Sequence, residues 1–192
     1  MQVEVVDNFI NSYAQESIKN ILLLPDFPWY YRDTTTVDVH PSKNKHHFVH
    51  SLWYNDMSRH SSLGAGDSRC YHKSNHFDNV MRFFSFPEFE THRLNRVQFN
   101  LNTPYKRRYI DNIKHKDMLP GLGGVTYLYY PIDSDGPTTF YDGWRKRRVN
   151  PKQGRLVRFP SDTTHSTNVP FKYEKRIVLN IVFESGTECE KV

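Results

Sequence analysis

A mainly β chain with its helices gathered near the N-terminus is the fold class the sequence predicts, and two observations predict it. Beyond residue 90, apolar residues recur at every second position in short runs broken by Gly, Pro, Asp and Ser, the pattern of strands joined by turns. Before residue 90, two segments repeat their apolar residues at helical spacing instead. Alternating strands must bury one face. The expected architecture is therefore a barrel or double-sheet jelly roll, with the helices laid on its outer face. A length of 192 residues suits one domain. Within it, residues 1–90 supply helices and supporting strands and residues 92–185 the β core.

In chain order, Val3, Val5 and Val6 make a short strand. Asn11 or Ser12 caps a helix over residues 14–24, with Ile18, Ile21 and Leu22 on one stripe, and Pro25 ends it. Residues 27–31 are aromatic and extended, residues 47–54 alternate as a strand, and residues 58–66 form a loop. Phe77, Val80, Met81 and Phe84 predict a second helix over residues 76–85, stopped by Pro87. Val97, Phe99 and Leu101 then alternate with Gln98, Asn100 and Asn102, and further strands are read at 124–132, 138–141, 156–159 and 175–184.

Composition narrows the function classes. With 15% aromatic residues there is ample apolar surface for a core, which excludes a disordered or low-complexity chain. The longest uninterrupted aliphatic run covers residues 21–24, far short of a membrane span. Glu4 stands where a secretory leader would be basic and no long apolar stretch follows, so a cytoplasmic protein without membrane partners is expected. Cys70 and Cys189 make neither a disulfide framework nor a zinc-ligand spacing. The formal charge of +5 and pI near 9.1 permit acidic or nucleic-acid partners. The runs Lys106-Arg107-Arg108 and Arg145-Lys146-Arg147-Arg148 are read first as two solvated loops, and second as contacts to an anionic substrate.

Ten histidines invite a search for metal ligands, and two His-x-Asp triplets occur, His76-Phe77-Asp78 and His115-Lys116-Asp117. With 13 Asp in the chain, roughly 0.7 such triplets arise by chance. His76 opens a helical segment, where residues i and i+2 point about 200° apart and cannot grip one ion. His115 stands between two strands, and in extended chain i and i+2 share a face, so imidazole and carboxylate converge. A third ligand from a distant strand would complete a face of two His and one carboxylate, leaving positions open for reactants. His165 lies 50 residues on, directly after the apolar run Leu156-Val157-Arg158-Phe159. The cluster His46, His47 and His50 has metal-like spacing but no carboxylate or Cys beside it.

The last strand divides its residues sharply. Ile177, Leu179, Ile181 and Phe183 form an apolar face for the helices, and Arg176, Val178, Asn180 and Val182 face the other way. Arg176 turned into a lumen would want a bound carboxylate or an internal acid. At the strand mouth it would instead be solvated or paired with Glu174.

His115, Asp117, His165 and Arg176, in that order on strands, resemble the Fe(II)- and 2-oxoglutarate-dependent dioxygenase superfamily, in particular its prolyl 4-hydroxylase-like branch. The resemblance covers about residues 99–184, including Gly124-Val125-Thr126-Tyr127-Leu128-Tyr129-Tyr130 and Arg155-Leu156-Val157-Arg158-Phe159-Pro160. Small phage-encoded members are similar in size and in the Phe27-Pro28-Trp29-Tyr30-Tyr31 stretch. The resemblance implies a double-stranded β-helix of cupin type, with His115, Asp117 and His165 holding iron. It further implies that Arg176 binds the far carboxylate of 2-oxoglutarate, with Tyr130, Tyr105 and the lumen-facing Asn180 as further co-substrate contacts. Lys114 and Lys116 depart from the family by flanking the His on both sides, and Lys175 competes with Arg176 for the carboxylate. Strand phase favours Arg176.

The activity so implied is an oxygen-consuming hydroxylation of a protein side chain or small molecule, with succinate and CO2 as co-products and ascorbate as a reductant. A dioxygenase acting on nucleic acid, a non-catalytic jelly-roll binding module, and another cupin-like metal enzyme are the alternatives.

Overall fold

The structure, a computed structural model, describes residues 2–32, 46–55, 71–104, 113–119, 121 and 123–185. Tyr105, the Lys106-Arg107-Arg108 run, both cysteines and the 58–66 loop lie outside the described residues. In chain order the elements are β1 (Glu4–Val6), α1 (Ser12–Leu23), β2 (Tyr30–Arg32), β3 (His47–Asn55), β4 (Tyr71–Lys73), α2 (Phe77–Met81), α3 (Glu88–Thr91) and β5 (His92–Asn102). They continue with β6 (Val125–Tyr130), β7 (Thr138–Asp142), β8 (Arg145–Val149), β9 (Arg155–Pro160), β10 (His165–Thr167) and β11 (Arg176–Ser185).

Two antiparallel sheets face each other as a jelly roll. The major sheet runs β1-β9-β6-β11-β5-β3-β2, with β4 paired to β3, and the minor sheet runs β10-β7-β8. His115 adds one bridge to the minor sheet beside β10. The N-terminal strands extend the major sheet at both edges, β1 on β9 and β3 on β5.

The alternation of β11 builds both halves of the core. Ile177, Leu179, Ile181 and Phe183 pack with Ile18 and Leu22 of α1 and with Phe84 and Phe86, on the outer face of the major sheet. Val178 packs on the inner face with Leu128, Tyr130, Phe140, Val157 and Phe159, between the sheets. Helix α1 starts where the Asn11 side chain accepts from the Ala14 N–H at 2.9 Å. It stops where Leu24 turns extended ahead of Pro25. No helix among the described residues is long and apolar enough to cross a membrane.

Three elements differ from the sequence expectation. The helix expected over residues 76–85 holds only as α2, because Phe84 and Phe86 both pack on the major sheet, edge-on to Tyr129 and stacked on Tyr127 respectively. A spacing of two residues on one face is a strand's, not a helix's. Helix α3 then follows, and its buried Glu88 accepts from the Tyr127 hydroxyl at 2.7 Å and from Arg158 at 3.2 Å. The Arg145–Arg148 run is the edge strand β8 rather than a loop, paired with β7 from Thr138↔Val149 to Asp142↔Arg145. All four basic residues are exposed, which erases the alternation by which strands are read.

Candidate metal centre

Backbone pairing brings the two sequence-distant histidines together. His115 N–H donates to His165 O and His165 N–H to His115 O, both at 2.9 Å. Their rings lie 4.4 Å apart between centroids. Asp117 is anchored next: its own N–H and that of Met118 donate to Ser161 O at 3.0 and 3.1 Å. Ligand atoms of His115, Asp117 and His165 thereby lie within 4.8 Å of one another, the one such grouping among the described residues. His76 instead packs on Phe27, and Asp78 pairs with Lys73 at 2.8 Å. His50 is held by Pro28 O and Ser74 Oγ, each at 2.8 Å. Among the described residues, neither the His76-Phe77-Asp78 triplet nor the histidine cluster assembles a site.

Each ligand candidate is oriented by a second contact. His115 Nδ1 lies 3.1 Å from Ile113 O, and His165 Nδ1 lies 2.9 Å from Thr163 O. A carbonyl only accepts, so Nδ1 carries the proton in both rings and Nε2 is left with its lone pair free. Phe159 and Phe140 pack on the His165 ring at 5.1 and 6.0 Å. That burial holds His165 below the ordinary imidazole range, in spite of the nearby Asp117 charge. A neutral imidazole is the form that binds a metal.

Asp117 is the most constrained of the three. Arg96 Nη2 donates to its Oδ1 at 2.7 Å and Asn180 Nδ2 to the same oxygen at 3.2 Å. The other oxygen, Oδ2, is buried without a hydrogen-bond partner and stands 3.7 Å from His165 Nε2. Burial alone pushes this carboxyl up, but the electrostatic pull of the surrounding His165, Arg96 and His115 side chains and the Asn180 hydrogen bond outweigh it and hold it below its ordinary value. The result is an ionised carboxylate with one oxygen saturated and one bare, aimed at two imidazole lone pairs.

Arg176 lies on the same inner face of β11 and is fully buried, at 1% exposure. Its Nε donates to Gly136 O at 2.7 Å and its Nη2 to Thr138 Oγ1 at 2.8 Å, while the guanidinium sits 5.5 Å over the Tyr130 ring. The Tyr130 hydroxyl shares Thr138 Oγ1 at 2.7 Å. No carboxylate among the described residues pairs with Arg176. Glu174 is exposed and Lys175 precedes the strand. A buried guanidinium that meets only neutral partners is a poor structural device and a good anion site.

Arg96 escaped the sequence reading. Its signal was its phase, since it falls on the polar face of β5 with Gln98, Asn100 and Asn102, and these pair across to Asn180, Val178 and Arg176 of β11.

Solved structures share this architecture. An oxidoreductase of the 2-oxoglutarate–Fe(II) oxygenase family from Burkholderia pseudomallei superposes with a TM-score of 0.66 at 10% identity, covering 99% of this chain and 88% of that one. A prolyl hydroxylase from Trichoplax adhaerens, in complex with a hypoxia-inducible factor peptide fragment, gives 0.60 at 15% identity, covering 95% of this chain and 83% of that one. An epimerase of nogalamycin biosynthesis in complex with Fe3+ and α-ketoglutarate gives 0.60 at 12% identity, covering 96% and 79%. This chain has the 2-oxoglutarate–Fe(II) oxygenase fold. No protein-family model and no curated protein matches the sequence, so the likeness to the oxygenases is one of fold. The residues present fit the oxygenase cofactors on their own chemistry: two imidazoles that turn Nδ1 to backbone carbonyls and a carboxylate with a bare buried oxygen suit Fe(II), and a fully buried Arg176 without an acid among the described residues suits a dicarboxylate.

Proposed function

We propose that the chain is an Fe(II)- and 2-oxoglutarate-dependent dioxygenase that hydroxylates a protein side chain of the prolyl type or a small molecule. The observation that carries this reading is the presence, between the two sheets, of both the His115–Asp117–His165 grouping, with His115 and His165 on the minor sheet, and a buried, acid-free Arg176 on the major sheet. Iron held there would activate O2, one oxygen atom of which would go to 2-oxoglutarate as it is oxidised to succinate and CO2 and the other to the hydroxylated substrate.

The chain's own residues supply geometry. His115 and His165 offer Nε2 because their Nδ1 protons are committed to backbone carbonyls. Asp117 offers Oδ2 because Arg96 and Asn180 occupy Oδ1. Arg176, levelled by Gly136 O and Thr138 Oγ1, takes the far carboxylate of the co-substrate, with Tyr130 beneath the guanidinium. Phe140, Phe159, Leu128 and Val178 line the gap between the sheets with apolar surface and keep water from the reacting centre. The Trichoplax enzyme's peptide complex supports a protein substrate, and the epimerase supports a small-molecule one. Succinate formation from 2-oxoglutarate on addition of Fe(II) and ascorbate tests the reading. Loss of that activity in His165→Ala is expected, and unchanged turnover would remove His165 from the site.

A further inference from the structure

We propose that the β7–β8 hairpin and the Lys114 edge of the minor sheet form a docking surface for single-stranded nucleic acid. Four observations meet there. Arg145, Lys146, Arg147 and Arg148 occupy consecutive exposed positions of β8. Lys114 and Lys116, flanking His115 beside the same sheet, are exposed as well. Lys114 and Lys146 stand over one tyrosine, Tyr141, at 4.2 and 5.8 Å from its centroid. At the hairpin turn, Trp144 is 86% exposed with the Arg145 guanidinium 5.3 Å from its ring.

An edge strand is protected from aggregation by a lysine or two. Here six basic residues outnumber the acidic Asp142 of the hairpin, and two of them, Lys114 and Lys146, stand over a single ring, an arrangement that costs stability unless an anion neutralises it. Of the β8 residues, Arg147 is engaged by Val3 O, and Arg145 lies opposite Asp142. Lys146 and Arg148 project together on the Tyr141 face of the sheet, paired with Tyr141 and Thr139. Successive same-face residues on a strand are roughly 6.8 Å apart, a row of cations suited to a phosphate backbone. Tyr141 and Trp144 interleave that row with aromatic rings, the combination on which unpaired bases stack. The carboxylates of an acidic peptide offer no ring to stack and would leave Trp144 without a role.

The surface lies on residues distinct from the metal ligands and Arg176, so binding to it needs neither Fe(II) nor 2-oxoglutarate. The test is fluorescence anisotropy of labelled oligothymidylate with the full chain across a KCl series, set beside polyglutamate and phosphatidylglycerol vesicles. Oligothymidylate is expected to bind, with affinity falling steeply as salt rises. The Lys146→Gln/Arg148→Gln double variant is expected to bind at least tenfold more weakly and to lower the salt slope by about 1.4, the loss of two phosphate contacts on a single strand. Trp144→Ala is expected to weaken binding roughly five- to hundredfold, as for a lost stacking partner. All three positions are exposed, so the variants should keep the parent's unfolding midpoint. Absence of oligothymidylate binding at low salt, equal binding to polyglutamate, binding to vesicles instead, or a double variant indistinguishable from the parent would each overturn the proposal.

Discussion

Asp117 carries two hydrogen bonds on one oxygen and none on the other, and that asymmetry leaves a single oxygen to offer a metal. Arg96 therefore acts as a positioning residue. Arg96→Gln is expected to weaken Mn(II) binding 10- to 100-fold, the usual effect of losing a partner behind a metal ligand, with partial recovery in Arg96→Lys. Mn(II) affinity read by electron paramagnetic resonance, in the absence of turnover, checks this, and an unchanged affinity would contradict it. Arg176 makes the opposite prediction for stability. Its guanidinium is fully buried against neutral partners, so replacing it with an apolar residue of similar length removes a desolvation cost. Arg176→Met should leave the ligand-free protein as stable as the parent or more stable by about 1–4 kcal/mol, while abolishing 2-oxoglutarate binding in calorimetry. A destabilised variant that still binds 2-oxoglutarate would show that Arg176 is structural.

The elements explain what could be seen in advance. β11 was legible residue by residue, because a strand buried on both sides shows its two faces as two different compositions, Ile177-Leu179-Ile181-Phe183 against Arg176-Val178-Asn180-Val182. The His115–Asp117–His165 grouping was legible because extended chain would put His115 and Asp117 on one side, and His165 follows an unmistakable apolar strand. β8 was not, since exposure on both faces leaves no alternation, and α3 was not, since four residues are too few to show a period. Yet α3 carries weight, because Glu88 ties it to Tyr127 and Arg158 on the major sheet. Glu88→Ala leaves the buried Tyr127 hydroxyl without its acceptor and is expected to cost about 1–3 kcal/mol in urea unfolding. A change under about 0.5 kcal/mol would mean that the clamp does not hold the helix.

Across the whole molecule, buried neutral histidines set the first part of the response to acid, above the range in which the lowered carboxyls of Asp7, Glu88 and Asp117 take up protons. Burial, with the Arg32 and His46 charges, lowers His47 to about 4, and burial likewise lowers His50. Between the ordinary histidine range near 6.5 and about 4, the unfolded chain binds protons that the folded chain refuses. Stability must therefore fall as pH drops through that window and level off below it as far as His47 is concerned. The His47 share is up to about 3 kcal/mol. Urea unfolding at pH 7 and pH 4.5 should show a smaller acid loss in His47→Gln than in the parent, and an equal loss would shift the cause to other groups. The same jelly roll thus separates its tasks. The outer face of the major sheet buries α1, the space between the sheets holds the ligands and Arg176, and the minor sheet turns its basic strand to solvent.

The central claim is that His115, Asp117 and His165 hold iron beside an arginine that holds 2-oxoglutarate. The most direct test is anaerobic addition of Fe(II) and 2-oxoglutarate to the purified protein, watched for the weak visible charge-transfer band that bidentate keto-acid chelation produces. The account predicts a band that appears with both additions, persists without substrate, and is absent in Asp117→Ala. Iron bound at this site with no band on saturation with 2-oxoglutarate would contradict it.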